Sequence, residues 1–409
     1  MADLPTPVPV LDYRSPAPRI SKPERWSPLA WAAFLGASWT WCIGMFLPVL
    51  LIRDYGAIGW IVFAVPNVIG AAAMGWILRA NESSERIVHA HRLTAHAFSV
   101  ITVAFHCFFA AWLIRAWWGE TVTWLLPVLV LVTFTFVQGV SFADRVVATL
   151  ALLVSLLIVL YRPYDVGPYT VGRSDLSGLL WLTPVCVFGF ALCPYLDLTF
   201  HRARRAGGSD DAHFAFGAGF GVCFLAMILL TPVYAVPMCH VLKNGYFLGD
   251  ESFINAVGVH LTLQSAVTIA FHLRELAARD VRARDRRVLG AAVLVSILAG
   301  VVGIWARYPI TWRGLNSGEL IYRLFMAFYG LVFPAYVWLC MIPGRGRVAP
   351  DRKQIMVWLV SISVAAPAFW MGFIERRMIW LLPGLGVVLL ARLLIQSRKT
   401  LSVSSGSGN

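Results

Sequence analysis

Long apolar segments recur along nearly the whole chain and constrain its fold more than any other feature. A helix needs roughly 20 apolar residues to cross a bilayer, and runs of that kind alternate here with short charged breaks. Of the 409 residues, 59% are hydrophobic and 13% are charged; soluble domains carry about 25% charged residues. The sequence therefore predicts an all-α integral membrane protein. Its twelve predicted spans are 27–52, 57–79, 93–117, 121–142, 146–162, 178–201, 213–241, 253–276, 287–306, 319–342, 354–373 and 377–397.

The basic residues indicate how these spans are oriented. The net charge is +13, and lysine and arginine concentrate in alternate loops, such as the one between Arg274 and Arg287, which the positive-inside rule places in the cytoplasm. We therefore expect a multi-pass protein of the cell inner membrane with both termini in the cytoplasm. Nucleic-acid binding is not expected, because the charge follows the membrane topology. Residues 1–25 are predicted to be a disordered tail, and 398–409 a flexible end.

Two of the predicted spans contain residues that interrupt a helix. The first has small and polar residues, Gly36-Ala37-Ser38, near its middle, and the sixth has Gly189 and Pro194, which bracket a segment predicted to be unwound. Irregular backbone inside a membrane is tolerated only where protein buries it or where it lines a cavity. Glycine and proline also occur in membrane helices as simple kinks, so each interruption taken alone has two explanations.

The spacing of the two interruptions indicates an inverted repeat. They are five spans apart, and a second unit of five helices enters the membrane in the opposite orientation to the first. Many secondary transporters are built in this way, with a binding site near the midplane between broken helices. The predicted organisation is a first five-helix unit at 26–162, a second at 177–343, and two additional helices at 354–397.

Short motifs agree with this organisation. They are Gly36-Ala37-Ser38 in the first span, Tyr55-Gly56-Ala57-Ile58-Gly59-Trp60 after it, and the small-residue run from Asn67 to Trp76. These motifs resemble the sodium:solute symporters, which have the leucine-transporter (LeuT) fold of the amino acid, polyamine and organocation superfamily. The Cys193-Pro194 step is similar to the proline-containing broken sixth helix of several superfamily members. The resemblance implies a 5+5 inverted repeat plus two helices, and transport by alternating access.

The resemblance also implies where a solute would bind. In this family the substrate lies against the broken parts of the first and sixth helices, and helices three and eight close the pocket. The first, third and sixth spans of this chain would then line the site. The corresponding residues are Ser38, Trp39, Trp41, Cys42, His96, Ser99, His106, Gly189, Phe190, Cys193 and Tyr195.

A sodium site on the eighth span is implied in the same way. Ser265 and Thr268 are three residues apart, so their hydroxyls share a helix face. Ile269 stands where the family has a second adjacent hydroxyl. Sodium is therefore the one cofactor that the resemblance implies, and the substitution at 269 argues against it.

Asp197 and Arg323 are the acidic and the basic residue that lie well inside predicted spans. Such groups cost about 2.5–3.5 kcal/mol on insertion scales and often mark functional sites. Arg323 is expected to pair with Glu319, four residues before it. Asp197 has two interpretations. It is either a proton site or part of an inner gate with Arg202 or an arginine of 274–287, or it forms a structural ion pair at the inner rim.

Together these features predict a secondary active transporter, similar to a symporter, that moves a small-molecule solute across the lipid bilayer. The alternative is a non-transporting membrane subunit or sensor that keeps the fold and binds a protein partner or a ligand. The major facilitator fold also has twelve helices, but it usually carries a long central loop, and here that loop is short. Paired carboxylates, a nucleophile elbow and metal-ligand spacing are missing near the membrane faces, so we expect no enzyme activity.

Overall fold

Helices make up almost all of the described structure. The computed structural model describes residues 28–115, 119, 121–140, 142–161, 176–244, 250–277, 283–306, 312–346 and 348–404. Within these ranges, eleven helices are long and apolar enough to cross a membrane, and Pro28–Trp39 with Cys42–Tyr55 forms a further, bent span. The predicted all-α membrane class with about twelve spans is therefore confirmed.

We number the helices α1 to α17 in chain order. Their bounds are α1 Pro28–Trp39, α2 Cys42–Tyr55, α3 Ala57–Ile77, α4 Asn81–Ala90, α5 Arg92–Phe109, α6 Thr121–Gly139, α7 Ala143–Tyr161, α8 Ser177–Leu192, α9 Leu198–Ala206, α10 Ser209–Ala218, α11 Leu225–Ile228, α12 Thr231–Asn244, α13 Glu251–Leu276, α14 Ala283–Trp305, α15 Ser317–Tyr336, α16 Arg352–Phe373 and α17 Leu381–Ser404. Single π-helical turns follow α5, α10 and α15, at Ala110–Ile114, Gly219–Phe224 and Val337–Met341, without ending their spans.

The first span breaks between α1 and α2, where two residues leave the helix. The two halves meet at an angle of 60°. The Thr40 hydroxyl donates to the Gly36 carbonyl at 2.7 Å, and the Ser38 hydroxyl donates to the Leu35 carbonyl at 3.1 Å. Such side-chain bonds compete with the backbone ladder and bend helices. The break therefore begins just after the small-residue segment that predicts it.

The sixth span breaks between α8 and α9. Helix α8 continues through Gly189, and a 3₁₀ turn, Cys193–Leu196, follows with Pro194 in its first turn. Proline fits there because the first turn of a helix leaves its N–H groups unpaired in any case. Asp197 is then extended and caps α9 by accepting a hydrogen bond from the Thr199 N–H. The unwound segment is shorter than predicted, since Gly189 keeps its helical hydrogen bond to the N–H four residues later.

Glycines let the first half of each broken span pack closely against a neighbour. A Cβ atom at Gly36 of α1 would lie 2.5 Å from the Cβ of Cys223 in the seventh span. A Cβ atom at Gly70 of α3 would collide with the backbone carbonyl of Phe190 in α8. Small residues at such contacts are typical of helix packing in membranes. Helices α1 and α8 are thus fixed by close backbone contacts.

The remaining predictions concern the two chain ends and the inverted repeat. Helix α17 continues to Ser404, so the segment predicted as a flexible end is helical as far as that residue. A helix that has begun in the membrane adds further residues at little cost. The predicted tail at 1–25 lies outside the described residues. The inverted repeat and the orientation of the termini stay predictions, and the two breaks are found in the first and sixth spans.

Candidate functional site

The indole of Trp41 is buried beside the first break, among rings of the third, eighth and tenth spans. This side chain is 2% exposed, and its N–H donates to the Ser38 carbonyl at 2.5 Å. The indole N–H of Trp39 donates to Oδ1 of Asn67 at 2.7 Å. The rings around Trp41 are those of Trp39 at 4.7 Å, Phe98 at 5.2 Å, His272 at 5.5 Å and Tyr329 at 5.9 Å between centroids. The structure therefore brings the predicted residues of the first span together with α5, α13 and α15.

A histidine of the third span accepts a hydrogen bond from the N-terminus of α2. The Cys42 N–H donates to Nε2 of His106 at 3.2 Å, while Nδ1 of His106 lies 2.7 Å from the Thr102 carbonyl oxygen. These partners assign a neutral imidazole with its proton on Nδ1. The first N–H groups of a helix have no partner within the helix, so His106 satisfies one of them at the break. The Tyr322 hydroxyl donates to the Cys42 carbonyl at 3.2 Å.

Asp197 lies at the other break, fully buried, and faces a histidine. Its Oδ1 accepts hydrogen bonds from the Thr199 N–H at 2.8 Å and from the Thr199 hydroxyl at 2.7 Å. Its Oδ2 lies 3.9 Å from Nε2 of His272 and has no hydrogen-bond partner in the described part of the chain. Nδ1 of His272 lies 3.1 Å from the Ser99 hydroxyl. The sixth, eighth and third spans therefore meet in one buried polar chain.

The other predicted residues of the third and sixth spans lie near this chain. His96 is buried on α5, one turn before Ser99. Cys193 and Tyr195 belong to the 3₁₀ turn, where Cys193 is fully buried. The Tyr195 carbonyl accepts a hydrogen bond from Nε2 of His201 at 2.9 Å. The polar groups of the sixth break are thus held by neighbouring side chains.

A small cavity adjoins the breaks between α2, α8 and α15. Its volume is about 60 Å³, close to the share of liquid volume of two water molecules at roughly 30 Å³ each. Among the predicted site residues, Gly189 and Phe190 line it. An open vestibule of about 730 Å³ borders it, and Asp54, Tyr55 and Met378 line both spaces. These three residues mark a route from one face of the bundle towards the broken helices.

The predicted sodium residues lie beside the first break. The Thr268 hydroxyl is 3.5 Å from the Ala37 carbonyl oxygen, and the Ser265 hydroxyl is buried without a hydrogen-bond partner among the described residues. Carbonyl and hydroxyl oxygens suit hard cations. The Ala37 carbonyl of α1 and the Thr268 hydroxyl of α13 thus face each other, while Ile269 is buried and has no side-chain oxygen.

Four charged side chains form the Glu319 cluster at the end of α2. Glu319 is 3% exposed, and it accepts two hydrogen bonds from Arg53, at 2.7 and 2.9 Å, and one from Arg323 at 2.9 Å. Asp54 accepts hydrogen bonds from both arginines at 2.9 Å. The predicted pair of Arg323 with Glu319 is confirmed. The cluster ties the second half of the broken first span to α15.

A second group, the Asp144 cluster, consists of Asp144, Arg202, Arg274 and Glu275. Asp144 is fully buried and lies 2.6 Å from Arg202 and 3.0 Å from Arg274. Arg202 also lies 3.3 Å from Glu275. Because Arg202 is on α9, the cluster ties the second half of the broken sixth span to α7 and α13.

The two clusters lie at opposite ends of the first span. Trp31, in the first turn of α1, packs against the guanidinium of Arg202 at 5.7 Å, whereas Arg53 is in the last turn of α2. A pair of Asp197 with Arg202, one of the partners considered for an inner gate, is not formed in this conformation, because α9 carries Arg202 more than a turn beyond the break and into the second cluster. Asp197 faces a histidine instead.

Sequence reasoning missed two residues of the site, His272 on α13 and Asp144 on α7. Buried polar side chains recur at every fourth position of α13, and residues four apart share a helix face. These are His260, Gln264, Thr268 and His272. This stripe is a periodic signal that the sequence contains. The pairing of His272 with Asp197 depends on where α9 crosses α13, and no sequence pattern specifies that crossing.

Comparisons with known proteins give a likeness of structure alone. No protein-family profile matches the chain, and no curated protein matches it. Seven chains of solved structures match it in a structure search. One is the crystal structure of MhsT in complex with L-phenylalanine, with 12% sequence identity and a TM-score of 0.46 over 89% of this chain and 98% of that chain. At this identity no residue role passes from one chain to the other.

Proposed function

We propose that this membrane protein is a secondary transporter that moves a small organic solute across the bilayer by alternating access. The observation that carries the proposal is the pair of breaks, which meet where Trp41, Asp197 and His272 lie together. Unpaired backbone groups inside a bilayer are costly. Half-helix ends near the midplane are the sites at which secondary transporters bind solutes and ions.

The two halves of each broken span are held in different ways. Helices α1 and α8, before the breaks, pack at backbone distance through the glycine contacts at Gly36 and Gly70. Helices α2 and α9, after the breaks, are in addition tied at their far ends by the Glu319 and Asp144 clusters. Helix α2 also packs at backbone distance against α3, where a Cβ atom at Gly59 would lie 2.5 Å from the Leu51 carbonyl oxygen. Ion pairs can exchange partners, as they do in rigid-body transitions of other proteins. Tilting α2 opens one end of the bundle and tilting α9 opens the other, as alternating access requires.

The described conformation is closed around the solute site. Ligand pockets usually have volumes of about 300–1,000 Å³, whereas the cavity beside the breaks measures about 60 Å³. We assign the solute site to this cavity together with the space that Trp41 fills here. Its lining is mostly apolar, and its polar side chains are Asp54, Arg323 and the tyrosines Tyr55 and Tyr329. The solute class that fits is therefore a small organic molecule with an apolar group.

Sodium is a candidate coupling ion at the first break. The Ala37 carbonyl and the hydroxyls of Thr268 and Ser265 would hold it, and it would join α1 to α13 by its charge. Replacing Thr268 by valine removes one oxygen with little change of volume. If sodium couples transport, this variant needs a higher sodium concentration for half-maximal uptake.

A second candidate function is a non-transporting sensor or subunit. Trp41 fills the centre of the bundle, and Ile269 replaces the second hydroxyl that the resemblance leads one to expect. Both features are those of a protein that keeps the architecture without moving a solute. In this case the vestibule lined by Asp54, Trp181 and Arg377 would bind the ligand or partner.

Uptake into liposomes decides between the two. The purified protein is reconstituted and tested with labelled amino acids and other small solutes that carry an apolar group, under a sodium or a proton gradient. A transporter accumulates one class of solute above the level in empty liposomes, and Trp41→Phe changes the KM of uptake. The matched control is Trp124→Phe, because Trp124 is 74% exposed on the surface of the bundle. Absence of uptake for every solute supports the sensor.

The proposal also includes location and orientation. We place the protein in the cell inner membrane with both termini, and hence the Asp144 cluster, on the cytoplasmic side, as the distribution of arginines predicts. Reporter fusions at the C-terminus that are active only in the cytoplasm test this orientation. Activity of a periplasmic reporter at the same position would reverse it.

A further inference from the structure

The buried chain of Asp197, His272 and Ser99 is not explained by helix capping. Asp197 caps α9 through Oδ1 alone, and Ser, Thr or Asn would cap it as well. Its second oxygen, Oδ2, accepts no hydrogen bond from any described residue and points at Nε2 of His272, 3.9 Å away. A charge is costly inside a membrane and usually marks function. Capping alone therefore does not explain why a carboxylate, with its second oxygen, is present at this position.

The charge of the pair depends on how many protons it holds. With none, the buried pair carries one negative charge; with one, on Oδ2 or on Nε2, it is neutral overall; with two, it carries one positive charge. A buried charge is stable only when it is paired. The closed arrangement therefore favours one proton, and losing that proton favours the entry of water and the separation of α9 from α13.

No neighbouring group among the described residues neutralises the Asp197 carboxylate, so the proton shared with His272 must do so. His106 is held neutral by its bonds to Cys42 and Thr102. Arg202, the arginine nearest to Asp197 along α9, is engaged by Asp144 and Glu275. Glu275 and Tyr329 also interact electrostatically with Asp197, and Glu275 is engaged by Arg202. Cys42 and Cys193 lie near Tyr329, and His201 is bonded to Ser84 and to the Tyr195 carbonyl. Within the described chain, the His272 imidazole is the one basic group within 4 Å of Oδ2.

We propose that Asp197 and His272 form a proton-binding site, and that a proton is a coupling ion of this protein. The proton arrives from the water on one side when that side is open, is held between Oδ2 and Nε2 in the closed state, and leaves to the water on the other side. No other bond forms or breaks. The proposal rests on the proposed transport function. It also gives Ser99 the role of a positioning residue, because its hydroxyl fixes the imidazole through Nδ1.

Cys193 reports on this site. It is fully buried in the 3₁₀ turn four residues before Asp197, so it reacts with a thiol reagent only when the break opens. The protein is reconstituted with Cys193 as its single cysteine, and its rate of labelling is measured from mildly acidic to alkaline buffer at constant sodium. Each rate is divided by that of the same residue in the denatured protein at the same pH, because the thiolate is the reacting form. We expect labelling to accelerate about tenfold or more as the pH rises, equivalent to about 1.4 kcal/mol.

Three variants separate the proton site from general effects of pH. Asp197→Asn keeps the cap of α9 and removes the titrating carboxyl, so its labelling stays slow at every pH. His272→Gln keeps a hydrogen-bonding side chain that takes up no proton, and it moves the midpoint of the pH response. His260→Gln is the matched control, since His260 is buried on the same helix about 18 Å from His272 at 1.5 Å per residue. Its pH response stays that of the parent protein.

The outcomes distinguish this inference from the proposed function. A pH response that persists unchanged in Asp197→Asn overturns the proton site. If solutes change the labelling of Cys193 and pH does not, the proton site is again overturned and transport stands. If neither pH nor any solute in the uptake panel changes it, both proposals fail.

Discussion

Replacing Glu319 by glutamine should open one end of the bundle. Glu319 is bonded to both arginines of its cluster: it accepts two hydrogen bonds from Arg53 of α2, which tie α2 to α15, and one from Arg323 of its own helix. Glutamine has nearly the same shape and no charge. The buried guanidinium of Arg323, 5% exposed, then loses one of its two acidic partners. The closed state is destabilised relative to a state in which water reaches both arginines.

The magnitude follows from burial and from the partners that remain. Removing one partner of a buried ion pair costs about 3–5 kcal/mol. Asp54 still accepts hydrogen bonds from both arginines, and Arg53 is already a quarter exposed, with a relative side-chain exposure of 26%. We therefore expect about half of the full cost, ~2 kcal/mol, which corresponds to a roughly 30-fold larger open population.

A native cysteine provides the assay. Cys186 lines the cavity beside the breaks and is 7% exposed. It is kept as the single cysteine and labelled with a membrane-impermeant maleimide. The labelling rate is proportional to the open population, so it should rise roughly 30-fold in Glu319→Gln. The other cysteines, replaced by alanine, are Cys42, Cys107, Cys193, Cys223, Cys239 and Cys340.

A surface ion pair supplies the control. Glu82 pairs with Arg86 at 2.6 Å, but both side chains are exposed, and such pairs contribute little. Glu82→Gln should leave the rate of Cys186 unchanged. If Glu319→Gln remains folded in detergent and labels no faster than the parent, the cluster does not hold the bundle closed and the reasoning is refuted.

Three further perturbations have expected outcomes. Asp144→Asn removes the acid that two half-buried arginines share, so labelling of Cys193 from the opposite face should accelerate at least tenfold, by about 1.4 kcal/mol or more. Equal rates would show that this cluster is not a gate. Trp39→Phe removes a buried indole hydrogen bond and should destabilise the protein by about 1–2 kcal/mol, seen as a lower Tm. Gly70→Ala forces α3 away from α8 and should lower the free energy of unfolding by about 1–3 kcal/mol, seen as a lower Tm. Its control is Gly290→Ala on α14, where a Cβ atom meets nothing within 4 Å; this variant should leave the Tm unchanged or raise it slightly.

The spans could be predicted because hydrophobic length is a local property. The predicted span 253–276 corresponds to α13, Glu251–Leu276, and 354–373 corresponds to α16, Arg352–Phe373. The breaks could be placed approximately for the same reason. Gly36 and Ser38 act within one turn, and Pro194 restricts its own backbone. Gly189 did not end α8, since a glycine only weakens a helix that its neighbours support.

The partners at the site could not be predicted, because they join residues far apart in the chain. Asp197 contacts His272, and Arg53 contacts Glu319, only because of how the spans cross. Asp144 was not singled out at all, as it lies at the first turn of α7, where acidic residues are common. Which conformation the side chains adopt also depends on the packing of the whole bundle. Trp41 fills the centre in this closed state, although the sequence predicts only that it lies near the break.

Distances across the two clusters in one sample test alternating access most directly. Spin labels are attached to exposed residues in two pairs. Ile58, just after the end of α2, is paired with Ile379, and Arg205 on α9 is paired with Phe142, just before α7. Each distance distribution is measured as pH and solute are changed. The account predicts that the distance in one pair lengthens only while the distance in the other stays short. It also predicts conditions under which the short and the long pair change places. Both distances staying fixed under every condition, or both lengthening together as in a channel, would contradict it.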